Sequence, residues 1–178
     1  MKNKILAGAL FCAIFCALPV ISRSKGPAYR FSPPKKGFFK MKLDGVQKIY
    51  DTCSSSGFRQ DASSSQTYYQ VNIFGGRPGN YCGLYINDLS PVKEGTYTSK
   101  INPVTKLPMA GLGAYKEPGG TGIYMSYRSG WPLYDVTVTL TEFTPDHIKG
   151  SFHGKLRMVG GDKVMEVTEG EFEAYSKQ

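Results

Sequence analysis

The chain has 178 residues and a formal net charge of +8, enough for one domain with its own core once an N-terminal leader is set aside. Gly, Ser, Thr, Tyr and Val are plentiful while helical periodicity is scarce, which disfavours a helical bundle and points to an all-β domain. The charge is unevenly placed. Between Arg23 and Lys48 eight basic residues face Asp44 alone, whereas from Ile49 onward twelve basic and thirteen acidic residues nearly cancel. The body is therefore not basic, and no nucleic-acid recognition motif accompanies the basic arm.

Residues 1–22 read as a secretory signal peptide. Lys2 and Lys4 precede an uncharged run from Ile5 to Ile21, Pro19 breaks its end, and Val20-Ile21-Ser22 supplies a plausible cleavage site. An uncleaved N-terminal anchor is the rival, because the run is at the short limit for crossing a bilayer. The expected localisation is thus exported: periplasmic, secreted or outer-surface. Residues 23–36 form a basic, Pro-containing linker. It reads first as a solvated tail, with contact between the basic arm 23–48 and an anionic surface as the alternative.

Residues 37–178 are expected to form the all-β domain. Phe38–Leu43 and Val46–Tyr50 flank Asp44-Gly45, a two-residue hairpin signal. Ser54 to Gln66 is polar, with low β potential, and reads as a loop. Residues 67–74 alternate as a strand, Gly75 to Asn80 read as a turn, and Tyr81–Asn87 as the return strand. Shorter strands are expected at Gly95–Lys100, Leu112–Lys116 and Gly122–Arg128, with a loop at Ser129-Gly130-Trp131-Pro132.

The last third is the clearest. Val136, Val138 and Leu140 alternate with threonines, and Ile148, Phe152, Leu156 and Met158 share one parity of the next run. In the last strand Met165 and Val167 are apolar on odd positions, but Phe172 and Ala174 on even ones. That phase change predicts a β-bulge at Thr168-Glu169-Gly170. In all, about nine or ten strands predict a single antiparallel sandwich or lipocalin-like barrel.

Removing the leader leaves Cys53 and Cys82. In an exported chain an even pair predicts a disulfide, closing a loop of about 30 residues for roughly 3–4 kcal/mol. No metal site is expected, since His147 and His153 lack ligand spacing to a cysteine. No cofactor is expected either: the paired glycines lack the helix and Lys-Ser/Thr of a phosphate cradle and read as turns. Both histidines read as exposed, no Gly-x-Ser-x-Gly elbow occurs, and Glu169, Glu171 and Glu173 read as one solvated face, so no catalytic residue is assigned. The binding hint is aromatic. Tyr127, Arg128 and Trp131 lie in one loop region, where Trp131 would either fold over the core as a plug or stack on a sugar ring.

The Val-Thr-Val-Thr-Leu run from Val136, Ile-Lys-Gly-Ser-Phe-His-Gly-Lys-Leu from Ile148 and Val-Thr-Glu-Gly-Glu-Phe from Val167 resemble the C-terminal end of small exported all-β bacterial domains of uncharacterised function. The resemblance covers the last third well. It implies a signal peptide or lipoprotein leader and a sandwich or lipocalin-like barrel, and it brings no catalytic residue. This chain departs from the lipoprotein pattern, because phenylalanine and not a small residue precedes Cys12 and Cys16.

The function expected from these features is an exported, non-enzymatic domain acting in binding or assembly at the cell envelope, its partner unidentified. The alternative is a lipocalin-like carrier of a small apolar or sugar-like ligand, and a hydrolase is the remote third.

Overall fold

The computed structural model describes residues 36–60, 68–103, 106–116, 119 and 122–176. The expected signal peptide and all but the end of the linker lie outside these residues, as does the part of the expected loop from 61 to 66. The described chain is all-β: β1 (Phe38–Leu43), β2 (Val46–Tyr50), β3 (Cys53–Gln60), β4 (Tyr69–Arg77), β5 (Asn80–Asp88), β6 (Gly95–Thr98), β7 (Ala110–Lys116), β8 (Ile123–Met125), β9 (Val136–Phe143), β10 (His147–Met158) and β11 (Val164–Ser176).

All eleven strands belong to one hydrogen-bonded sheet. Strands β2-β1-β11-β10-β9-β6 pair antiparallel in that order, and so do β3-β4-β5-β7-β8. Two short ladders join these runs. Tyr175 and Ser176 of β11 pair parallel with Ser54 and Ser55 of β3, and Arg157 and Met158 of β10 pair with Met125 and Tyr124 of β8. The path β11–β3–β4–β5–β7–β8–β10 therefore returns to β11. The β3–β11 ladder makes the sheet mixed, which period-2 patterning within single strands cannot foretell.

The core follows the alternation. Phe39, Met41 and Leu43, then Val71 and Ile73, Val136, Val138 and Leu140, and Ile148, Phe152 and Leu156 are all buried. At its centre Phe39 packs on Phe152 with ring centroids 4.8 Å apart and on Phe172 at 6.5 Å, while Phe152 and Phe172 are 6.2 Å apart. Three glycines make room for this trio. A Cβ at Gly75 would collide with Phe39, one at Gly150 with Phe172 and one at Gly170 with Phe152. Interiors at this density leave no slack for an added methyl.

The expected hairpin and bulge both form. Asp44 and Gly45 carry φ of 48° and 80°, the two positive values of a type I′ turn. The turn is fixed to β11 by Asp44 Oδ1, which accepts the Glu166 N–H at 2.8 Å. In β11, Val167 and Gly170 span only Gly154 and Phe152 of β10. Glu169 adopts φ of 49°, and burial switches from Met165 and Val167 to Gly170, Phe172 and Ala174.

Other expectations need correction. The polar segment from Ser54 is not a loop, because β3 carries it to Gln60. Its backbone pairs with Ile73 and Phe74 of β4, so neighbouring ladders hold a strand that has no apolar periodicity of its own. Gly75 to Arg77 continue β4 instead of turning, because Gly75 lies against Phe39, and the turn is confined to Pro78-Gly79. The strand expected at Gly122–Arg128 shrinks to β8.

The disulfide expected between Cys53 and Cys82 is absent: both are free, buried thiols. Each pairs with Gly75, Cys53 from β3 and Cys82 from β5, so one whole strand separates them. Two strand spacings are about 9.5 Å, beyond the roughly 7 Å that a disulfide spans between Cα atoms.

Candidate functional site

Two surface clusters carry the chemically capable side chains. The first is built on two facing turns. After β8, the buried Ser126 is pinned to β7: its Oγ accepts the Leu112 N–H at 2.9 Å, and its own N–H donates to Leu112 O at 3.1 Å. The chain then leaves the sheet. Trp131 N–H donates to Arg128 O at 3.0 Å, and Gly130 at the third turn position has φ of 84°, the type II pattern. Opposite, Gly161 N–H reaches Met158 O at 3.3 Å around Gly160, with φ of 82°.

The two turns are brought together by the Arg157–Met125 pairing. Arg157 donates from Nε to Gly161 O at 3.0 Å and from Nη2 to Asp162 Oδ1 at 2.5 Å. Thus held, its guanidinium carbon lies 5.2 Å from the Trp131 ring centroid, and that of Arg128 lies 5.9 Å away. Both are within cation–π range. Arg128, Trp131, Arg157, Gly160, Gly161 and Asp162 line an open cleft of about 350 Å³. Arg157 is committed to Asp162, whereas Arg128 is exposed and forms no ion pair among the described residues.

Trp131 is half-buried and is not among the hydrophobic side chains packed against the core, so the plug reading is corrected. Arg128 and Trp131 meet as expected, but Tyr127 does not join them. It lies near Tyr85, whose phenol is pushed up to about 12 by burial first and by Tyr127 second. Arg157 and Asp162 were not predicted. Arg157 sits on the polar parity of its strand, and nothing local in the sequence ties it to Trp131.

The second cluster corrects the reading of His147 as an exposed turn residue. His147 opens β10 with its side chain only 19% exposed. Its Nδ1 lies 2.7 Å from Glu142 Oε1 and its Nε2 3.0 Å from Glu173 Oε1. Its ring stacks on Tyr175 at 4.7 Å. Tyr175 donates its hydroxyl to the same Glu173 oxygen at 2.5 Å. That hydrogen bond, reinforced by His147, holds the Glu173 carboxyl below its ordinary range, while the Tyr175 phenol is raised.

His153 is exposed, as expected. It lies in a second depression, of about 380 Å³, with Asp135, Lys155, Glu166, Thr168 and Glu169. No hydrogen bond joins His153 to a carboxylate or hydroxyl among the described residues.

The lysines of the basic arm that fall in β1 are already engaged, Lys40 with Glu171 at 2.9 Å and Lys42 with Glu169 at 2.6 Å. The buried thiols are raised to about 12 by desolvation, so neither is a thiolate at neutral pH. Among the described residues no group of three or more His, Cys, Asp or Glu side chains is placed to hold a metal ion.

No protein-family model, no curated protein and no solved structure matches this chain.

Proposed function

We propose that this is an exported, non-enzymatic β domain of the cell envelope that binds or assembles through its surface and not through its interior. The observation that carries this reading is the filled centre. Val71, Ile73, Val138, Leu140, Phe152 and Leu156 are at most 2% exposed, and the Phe39–Phe152–Phe172 trio occupies the space a carrier would leave for its ligand. The returning strand path supports a small barrel. A lipocalin-like carrier of that size needs an open bore, and this core supports a solid one instead. The resemblance of the last three strands to small exported β domains supports the same reading, as does the leader-like N-terminus.

The non-enzymatic part rests on the histidines. Both ring nitrogens of His147 are occupied by carboxylates, which leaves none to activate a nucleophile, and among the described residues His153 has no orienting partner. The hydrolase alternative is weaker for that reason. Assembly as the mode of binding is favoured by the outer edge of β2. Among the described residues that strand pairs only with β1, and Val46 and Ile49 are 59% and 69% exposed there.

Two measurements on protein expressed from its own start test the reading. Cell fractionation with mass spectrometry is expected to find it outside the cytoplasm, beginning near residue 23. Organic extraction of purified protein is expected to release no apolar molecule in equimolar amount. A cytoplasmic protein that still begins at Met1, or an equimolar apolar ligand, would contradict it.

A further inference from the structure

We infer that the cleft between the Trp131 and Gly160 turns is a saccharide site, and that its ligand is a sugar ring bearing a carboxylate, of the uronic acid type. This inference rests on the surface-binding reading above and adds a ligand class to it.

Three features of the cleft define the class. Trp131 is half-buried, and the part of its indole that the Arg128 and Arg157 guanidinium groups leave uncovered is a platform on which the C–H face of a sugar stacks. Arg157 is not a free positive charge, because Asp162 pairs with it while Gly161 O takes its Nε–H. It stiffens the Trp131 side of the cleft instead. Arg128 is the charge left over, at 5.9 Å from the ring centroid, so its guanidinium fork can receive a carboxylate on a ring stacked beside it.

Asp162 narrows the choice further. Its side chain is 98% exposed. A fixed negative charge on the wall disfavours a dianionic phosphate, while its oxygens can accept sugar hydroxyls. With Asp162 paired to Arg157, one uncompensated guanidinium remains in the cleft, which suits a singly charged, hydroxyl-rich ring. Gly160 leaves the floor open, since an added Cβ there would meet nothing within 4 Å, and about 350 Å³ lies at the lower end of ligand sites, about 300–1,000 Å³.

The test uses calorimetric titration of the whole chain with four probes: hexagalacturonate, galacturonic acid, a neutral hexasaccharide of glucose and polyglutamate. Binding of hexagalacturonate is expected to exceed that of the neutral sugar and of polyglutamate by about tenfold or more. Trp131→Ala and Arg128→Gln are each expected to weaken it by about tenfold, with a thermal midpoint within a few degrees of the wild type showing that the fold is intact. Lys48→Gln, which removes the same charge on β2, is expected to leave it unchanged.

Binding of the monomer as well would place the recognition in one ring, and binding of the hexamer alone would place it in a polymer. Both outcomes support the site. Equal binding of polyglutamate, equal loss in Lys48→Gln, or no binding of either uronate would overturn it. These failures leave the surface-binding reading standing, since export and an empty-handed interior are measured separately.

Discussion

The centre of the sheet and the cleft at Trp131 use aromatic rings in opposite ways. Around Phe39, Phe152 and Phe172, three glycines admit the rings so closely that a single Cβ would collide. Around Trp131, Gly160 opens space, since an added Cβ there would meet nothing within 4 Å, and the ring meets cationic groups and solvent. Glycine next to an aromatic thus means close packing in one region and access in the other. What distinguishes them is where the pairing ladder runs. Gly75, Gly150 and Gly170 lie within strands, whereas Gly160 and Gly161 lie in a turn. The first region should govern stability with no effect on binding, and the second the reverse.

Phe152→Ala is the strongest way to break that contrast. It is expected to cost about 3–5 kcal/mol in chemical denaturation, whereas Trp131→Ala should cost about 1 kcal/mol or less. A cost for Phe152→Ala near that of Trp131→Ala would mean that the interior has room to spare, as in a carrier. Gly75→Ala should follow at about 1–3 kcal/mol, because the Phe39 ring must shift. If it were neutral, the glycine would be a turn residue after all.

Glu173→Gln sharpens the comparison at a third place, where the ends of β9, β10 and β11 meet. The Glu173 carboxyl is held low by the Tyr175 hydroxyl and His147. A depressed carboxylate contributes stability that is complete above the unfolded value, about 4.3, and is lost as pH falls through the lower native value. The wild type should therefore lose more stability than Glu173→Gln on acidification from about pH 5. Parallel stability–pH curves for the two proteins would show that the cluster is not energetically coupled.

The smallest effect concerns the thiols. With both cysteines raised to about 12, alkylation of native protein at pH 8 should be slow and complete only in denaturant, without added reductant. Failure to label in denaturant unless reductant is present would restore the disulfide.

The strands with one buried face were legible in the sequence. Alternation placed β9 and β10, and the parity change from Val167 to Phe172 located the bulge, because a bulge is itself a break in a local period. What escaped was non-local. β3 has serines where a strand needs apolar residues, and its ladders with β4 and β11 hold it. Gly75 looked like a turn because the ring it accommodates, Phe39, lies 36 positions earlier in the chain. In the cleft, Arg128 and Trp131 were legible as neighbours in one loop. Arg157 and Asp162 were not, because two pairs between β8 and β10 bring them there. His147 was misread for the same reason: Glu142 is close in sequence, but Glu173 and Tyr175 arrive from the next strand.

The separation of a sealed interior from a receptive surface can be read directly by NMR on titration of the labelled protein with hexagalacturonate. The Trp131 indole N–H and the amides of Arg128, Arg157 and Gly160 to Asp162 are expected to shift, while the methyl groups of Val71, Leu84, Val138 and Leu156 stay in place. Moving interior methyls, or a Trp131 indole unaffected at saturating ligand, would contradict it.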